Sequence, residues 1–133
     1  MASPEFSTIA SSLEDGVLVV RLSKSQMQDE KTAEALLLEL DQALSYYKVS
    51  QVVVDMQSLR YLSSVAFRPL LHLRRRIHQL HGKLLLCGLS HAVGDIFRTT
   101  RLVSSDGSSS APFEISTDVA SALAQINSDK KPE

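Results

Sequence analysis

Four histidines and one cysteine in this 133-residue chain are of the types that bind transition metals or act as strong nucleophiles. His72 and His78 lie six residues apart on one expected helix and share no face, and the chain has neither a His-Glu-x-x-His motif nor paired cysteines. Cys87 belongs to an apolar run and is expected to be buried as a small hydrophobic residue. The glycine-rich phosphate loops and the nucleophile elbow of common enzymes do not occur either. The sequence therefore predicts no metal site, no cofactor and no catalysis.

A second group of reactive side chains is basic, because Arg68 and the run Arg74, Arg75 and Arg76 fall on one expected helix. Three consecutive helical residues fan over about 200° instead of forming one stripe. The run is interpreted as a solvated helix face, or alternatively as a docking patch for an acidic partner or a phosphate. No aromatic residues interleave with the arginines, and the formal net charge of the chain is −1, so nucleic acid is not an expected partner.

Two adjacent hydroxyls, Ser63 and Ser64, lie where an apolar strand is expected to lead into an amphipathic helix. The simplest interpretation is an N-cap, in which a hydroxyl accepts from a free N–H group of the first turn. The alternative is regulatory, because the start of a helix also stabilises an anion. A phosphate on Ser63 would add a charge of about −1.5 to −2 there and change the surface that a partner contacts.

The elements that would position these hydroxyls alternate between strand-like and helix-like patterns. Apolar or β-branched runs predict strands, and apolar residues that recur every three or four positions predict amphipathic helices. Strands are expected at residues 6–12, 17–22, 52–56, 83–87 and 113–115, and helices at residues 32–47, 66–80, 90–99 and 119–126. Alternating strands and helices form parallel sheets with right-handed crossovers. The sequence therefore predicts an α/β fold, a single domain with a mixed, mostly parallel β-sheet of four to five strands and about four α-helices.

Turn and cap residues mark the expected ends of these elements. Residues 15–16 form an Asp-Gly hairpin pair, and Asp29 or its neighbours are expected to begin the first helix. Ser90 and Asp118 are expected N-caps, and Gly82 is the expected left-handed residue that ends the second helix. Irregular connectors are expected at residues 23–30 and 104–110.

The length of the chain suits one domain. Residues 1–6, which read MASPEF, are interpreted as a cloning remnant, residues 7–126 as the domain and residues 127–133 as a flexible tail. A single cysteine cannot form an internal disulfide, which favours a reducing, cytoplasmic setting. No apolar stretch approaches the roughly 20 residues that cross a bilayer, so direct membrane insertion is not expected.

Residues 53–64 resemble the signature of the STAS domains of anti-sigma-factor antagonists, which is a hydrophobic strand, an aspartate, a short link and an Asp-Ser-Ser-Gly hinge that opens a helix. Residues 32–34, 82–86 and 88–93 resemble further family segments in the same order. The resemblance extends over residues 7–126 and implies the STAS fold and a protein-interaction role without catalysis.

The resemblance also implies a regulatory mechanism and a set of partners. Ser63, and in second place Ser64, is the implied target of a serine kinase that is also the anti-sigma factor. The unmodified domain would bind the anti-sigma factor and thereby free sigma, whereas the phosphorylated domain would release the anti-sigma factor. A PP2C-type phosphatase would remove the phosphate. A homodimer is compatible with the resemblance. The implied partner-binding residues are Asp29, Leu62, Ser63, Ser64, Val65 and Arg68. The alternative is a constitutive STAS scaffold or transporter-associated docking module, without a phosphorylation switch.

The hinge is also where this chain departs from the family pattern. Leu62 stands where the family has Asp, and Val65 stands where it has Gly. The first change removes a charge beside the target hydroxyl, and the second adds bulk and disfavours a positive φ. Pro69 falls inside the expected helix, where it removes one backbone hydrogen bond and could kink the first turn.

Overall fold

The computed structural model describes residues 6–100 and 113–129 of the chain. These residues form an α/β fold in which strands and helices alternate after an N-terminal hairpin. The strands are β1 (Ile9–Glu14), β2 (Val17–Leu22), β3 (Gln26–Met27), β4 (Gln51–Asp55), β5 (Tyr61–Leu62), β6 (Lys83–Cys87) and β7 (Glu114–Ser116). The helices are α1 (Glu30–Tyr47), α2 (Phe67–Gln79), α3 (His91–Thr99) and α4 (Val119–Asp129).

The main sheet contains five strands in the order β1-β2-β4-β6-β7, and β3 and β5 form a separate parallel pair. Strand β1 is antiparallel to β2, whereas all the other neighbours in the main sheet are parallel. Val52, Val53 and Val54 in the middle strand β4 are all buried, as a strand with helices on both faces requires. The predicted mixed, mostly parallel sheet with four helices is confirmed.

Alternate residues of the sheet belong to two separate cores, because neighbouring side chains in a strand point to opposite faces. Val52 and Val54 pack with residues of α1, α2 and α3 in the larger core. Val53 packs on the other face with Cys87, which lies against α4 in a smaller core. The predicted burial of Cys87 is confirmed, and burial raises the pKa of its thiol to about 12, with the nearby carboxylates of Asp55 and Asp118 acting in the same direction.

The predicted hairpin and the predicted N-caps Asp29, Ser90 and Asp118 are confirmed. Residues 15–16 have φ values of 54° and 78°, as a two-residue hairpin turn of type I′ requires. The Asp29, Ser90 and Asp118 side chains each accept a hydrogen bond from the backbone N–H three residues later. The first strand runs from Ile9 to Glu14 instead of residues 6–12, and the edge strand predicted at residues 113–115 is β7.

The prediction that Gly82 is the left-handed residue after α2 is wrong. His81 has the positive φ of 59°, its N–H group donates to the His78 carbonyl, and the N–H group of Gly82 donates to the Ile77 carbonyl. This is a Schellman motif with histidine at the left-handed position. Gly82 is needed for a different reason, since a Cβ atom there would lie 1.7 Å from the carbonyl oxygen of Ser50.

The structure also corrects or limits expectations about Pro69, the two ends of the chain and the second connector. Helix α2 begins only at Phe67, so Pro69 lies in the first turn, where its missing N–H group would have no partner within the helix, and α2 continues unbroken to Gln79. Helix α4 reaches Asp129, so the expected flexible tail from residue 127 is wrong for its first three residues. Phe6, assigned to the cloning remnant, packs against the larger core. Residues 1–5 and the connector expected at residues 104–110 lie outside the described residues.

Candidate functional site

A two-stranded sheet at the end of the molecule holds the hinge that contains Ser63. Strand β3 pairs with β5, and the pairing continues into the hinge because the N–H group of Ser63 donates to the Met27 carbonyl over 2.9 Å. The Met27 and Leu62 side chains, 1% and 2% exposed, anchor the two strands in the larger core. The sequence pattern missed both strands, since two-residue strands carry no periodicity and residues 23–30 are mainly polar.

The Ser63 hydroxyl faces the start of α1 instead of capping α2. Ser63 precedes a 3-10 turn, Ser64–Ala66, which leads into α2, but its side chain makes no capping hydrogen bond. Its Oγ atom donates to the backbone carbonyl of Gln28 at 3.3 Å. Ser63 is half-buried and Ser64 is exposed. The simple interpretation of Ser63 as a side-chain cap is therefore wrong. Ser63 precedes a helix as predicted, but the strand that it directly follows, β5, was not predicted.

The two departures from the family pattern have separate structural explanations. Leu62 is buried and belongs to the larger core under the hinge, so its side chain is not part of the exposed hinge surface of the free chain. Val65 lies in the 3-10 turn and is not among the described residues with a positive φ, so valine is accommodated there without left-handed strain. Val65 remains half-exposed and borders the hydroxyl pair.

Arg68 and Asp29 complete the hinge surface from the two helices. The Nη2 atom of Arg68 lies 2.7 Å from Oε1 of Glu30, and this hydrogen-bonded ion pair raises the pKa of the guanidinium. Asp29 caps α1, and its hydrogen bonds with Thr32 hold the pKa of the carboxyl below its usual range. Of the six sequence-predicted residues, all but Leu62 thus lie at least partly exposed at the junction of β3, β5, α1 and α2.

An ion-pair cluster joins α1 to α2 farther along the helices. Asp41 on α1 contacts the Nε2 atom of His72 at 3.0 Å and Nη1 of Arg76 at 2.8 Å. Arg76 therefore contributes to helix pairing, while Arg74 and Arg75 are exposed on the same helix. Residue spacing carries no signal for this cluster, because the contact depends on how two helices that are distant in sequence are aligned.

A polar cleft of about 620 Å³ lies beside the hinge end of the sheet, between the ends of β2, β4 and β6 and the start of α4. The Nε atom of Arg21 is 3.6 Å from Oδ2 of Asp55, and Oδ1 of Asp55 accepts from the N–H group of Gln57. Gly88 has a φ of 71°, and a Cβ atom there would lie 2.6 Å from Oδ1 of Asp55. The charged groups of this cleft thus already have partners within the chain.

Two features of the described residues bear on other classes of function. Within residues 6–100 and 113–129, no three histidine, cysteine or carboxylate side chains gather as they would around a metal ion. In the same ranges, none of the helices has the length and hydropathy that crossing a bilayer requires.

Comparison with known proteins identifies the family. A model of the STAS domain family matches residues 9–122. An anti-sigma factor antagonist from Mycobacterium paratuberculosis is 22% identical, with 90% of this chain and 93% of that chain covered and a TM-score of 0.73. A serine-to-glutamate variant of RsbS from Moorella thermoacetica is 15% identical, with 93% and 98% covered and a TM-score of 0.73. The phosphorylated form of the Bacillus cell fate determinant SpoIIAA is 14% identical, with 89% and 98% covered and a TM-score of 0.63. The match over most of its length shows that this chain belongs to the STAS domain family.

Proposed function

We propose that this chain is a protein-interaction domain of the anti-sigma-factor-antagonist type, which regulates transcription by partner switching under the control of phosphorylation at Ser63. The observation that carries the proposal is the position of the Ser63 hydroxyl. It lies half-buried in a surface hinge, directly after the short strand β5, and it is held by one long hydrogen bond to the Gln28 carbonyl. A kinase could separate this hydroxyl from the Gln28 carbonyl with a small loss of free energy, because a single long hydrogen bond is weak.

The reaction would be a transfer of the γ-phosphoryl group of ATP by the partner kinase. A bond forms between phosphorus and the Ser63 oxygen, the bond to the ADP oxygen breaks, and the hydroxyl proton is released. A PP2C-type phosphatase would reverse the modification by hydrolysis, with water supplying the new oxygen on the released phosphate. In both steps the domain is the substrate, and the catalytic groups belong to the partner.

Charge at the hinge explains how the modification could change binding. The carboxylates of Asp29 and Glu30 lie at the start of α1, directly after the residue whose carbonyl accepts the Ser63 hydrogen bond. A phosphate of charge about −1.5 to −2 would turn this surface strongly acidic. An anti-sigma factor that binds the unphosphorylated hinge would then be repelled by the added charge, and its binding would carry an extra desolvation cost.

The reactive side chains of the described residues favour a binding role over catalysis. The Cys87 thiol is buried, and its pKa of about 12 keeps it protonated near neutral pH. His72 and His91 contact the carboxylates of Asp41 and Asp95 on helix surfaces. We accordingly propose a cytoplasmic, non-enzymatic switch whose partners are an anti-sigma factor that is also a serine kinase, and a phosphatase.

The test is phosphorylation of the full chain by a candidate kinase and ATP, followed by intact-mass analysis. One added phosphoryl group is expected in the unmodified chain and in Ser64→Ala, and none in Ser63→Ala. Titration calorimetry should then show that the anti-sigma factor binds the unmodified chain at least tenfold more tightly than Ser63→Asp.

Two results would contradict the proposal. Continued phosphorylation of Ser63→Ala would place the acceptor elsewhere. Equal affinity of the partner for the unmodified chain and for Ser63→Asp would instead favour the constitutive scaffold or docking module.

A further inference from the structure

Two side-chain contacts fasten the hinge to the segment that leads into α1. The first is the hydrogen bond from the Ser63 hydroxyl to the Gln28 carbonyl. The second is the ion pair between Arg68 and Glu30. Both contacts join the same two segments, since Ser63 and Arg68 flank the 3-10 turn, and Gln28 and Glu30 flank the cap residue of α1.

We propose that phosphorylation of Ser63 breaks both contacts together, with Arg68 leaving Glu30 to bind the new phosphate and residues 28–30 being released from the hinge. This inference rests on the proposed phosphorylation of Ser63 and adds to it a phosphate-binding residue, Arg68. In this scheme Arg68 is a positioning residue for the modified state and takes no part in the transfer of the phosphoryl group.

The first contact is lost because phosphorylation removes the hydrogen that the Ser63 hydroxyl donates. The Ser63 oxygen donates its only hydrogen to the Gln28 carbonyl, and a phosphoserine has no hydrogen at that oxygen. The phosphate oxygens and the carbonyl oxygen are all acceptors, so they repel each other at the same distance. Phosphorylation therefore converts an attraction between the hinge and Gln28 into a repulsion.

The second contact is exposed to competition. Arg68 follows Ser63 by five residues of 3-10 and α-helix, which corresponds to about 8–10 Å along the axis. The guanidinium of Arg68 contacts Glu30, only two residues after Gln28, whose carbonyl accepts from Ser63, so it lies on the same side of the hinge as the Ser63 hydroxyl. A phosphate offers Arg68 three acceptor oxygens and nearly two charges, whereas Glu30 holds it through one short contact between two exposed side chains.

The carboxylates at the start of α1 add to the effect. Glu30 would lose its cation and would face the phosphate together with Asp29, and like charges at close range repel. Asp29 is engaged with the backbone of Thr32, so the first turn of α1 stays capped while the segment before it is pushed outward. The result is a surface with a free Glu30 and a neutralised Arg68.

The experiment uses the full chain with phosphoserine inserted at position 63 during translation, so that it needs neither a kinase nor a binding partner. The second ionisation of the phosphate is titrated by phosphorus NMR. A nearby cation favours the dianion, so the pKa should lie about one unit below the ordinary value of about 6. In Arg68→Gln the pKa should rise to that value or above it, because the carboxylates of Asp29 and Glu30 then face the phosphate without this cation. Arg75→Gln is the matched control, since Arg75 is exposed two turns farther along the same helix face and should leave the pKa unchanged.

Release of the segment that precedes α1 is measured on the same samples by nitrogen relaxation. The backbone order parameter of Gln28 should fall on phosphorylation, while those of Glu30 and Thr32, in the capped first turn of α1, should stay high. Equal phosphate pKa values in Arg68→Gln and Arg75→Gln would overturn the role of Arg68, and unchanged order parameters would overturn the release. Neither result depends on a partner, so failure here would leave partner switching at Ser63 intact, and failure of the kinase test would leave these measurements unaffected.

Discussion

The Ser63 hydroxyl donates across the hinge to the carbonyl of Gln28, 3.3 Å away, and makes no hydrogen bond to the helix that follows it. The stability of α2 is thus separate from the state of this hydroxyl, while the contact between the hinge and the start of α1 depends on it. A chemical change at Ser63 can therefore alter one surface without unfolding the helix beside it.

Replacement of the Ser63 hydroxyl should destabilise the protein only slightly. Ser63→Ala removes one long hydrogen bond and should lower the free energy of unfolding by about 0.5–1 kcal/mol. Ser64→Ala, at an exposed neighbour, should change it by less than about 0.5 kcal/mol. Urea unfolding followed by circular dichroism measures both. A larger loss for Ser64→Ala than for Ser63→Ala would mean that the wrong hydroxyl has been assigned to the hinge contact.

Restoration of the family aspartate at position 62 should strongly destabilise the protein. Leu62 is 2% exposed, so Leu62→Asp would bury a carboxyl group without a partner and should lower the free energy of unfolding by about 3 kcal/mol or more. Val65→Gly restores the other family residue at a half-exposed position and should cost only about 1 kcal/mol. Both are compared by denaturant unfolding. A stable Leu62→Asp would show that the side chain can leave the core.

Acid should weaken the attachment of the N-terminal segment to α1. Burial alone would raise the pKa of Glu39, but hydrogen bonds from Thr8 and Ser7 outweigh it and hold the pKa below its usual value. Because the folded pKa is the lower one, the stabilisation is present above the unfolded value of about 4.3 and is lost as the pH falls through the folded pKa.

The measurement compares the free energy of unfolding of the unmodified chain with that of Glu39→Gln over a range of pH. The unmodified chain should be the more stable near neutral pH, and the difference should shrink below about pH 5. A difference that is constant down to acidic pH would show that the hydrogen bonds do not require the ionised carboxylate.

The end of α2 offers two neighbouring substitutions with opposite signs. His81→Gly relieves the left-handed strain at φ 59° and should raise the free energy of unfolding by about 0.5–1 kcal/mol. Gly82→Ala would place a Cβ atom 1.7 Å from the Ser50 carbonyl oxygen and should lower stability by more than about 2 kcal/mol, because backbone must move. Thermal unfolding of both variants gives the sign directly, and a tolerated Gly82→Ala would contradict the close approach.

The sequence was sufficient for the features that depend on local patterns. The buried valines of β4 and the N-caps Asp29 and Ser90 are encoded within a few neighbouring residues, and the structure confirms them. The pairing of β3 with β5 and the burial of Leu62 depend instead on contacts between segments about 35 residues apart, as the Ser63–Gln28 bond does. Neither composition nor periodicity carries that information.

The same reason explains the error at Gly82. A glycine after an amphipathic helix usually supplies the left-handed residue, but here that residue is His81. What requires glycine is the distant backbone of Ser50, which local sequence cannot reveal.

The placement of Cys87 provides a built-in reporter for the second face of the sheet. It is the chain's single thiol, and it packs with Ala122 and Ile126 on α4. A thiol-reactive dye added to the native protein can reach this buried sulfur only after a local opening, and α4 is a helix that covers it. The labelling rate should therefore report on such openings, and a partner that docks on α4 should slow the labelling while one that docks on the opposite layer should leave it unchanged.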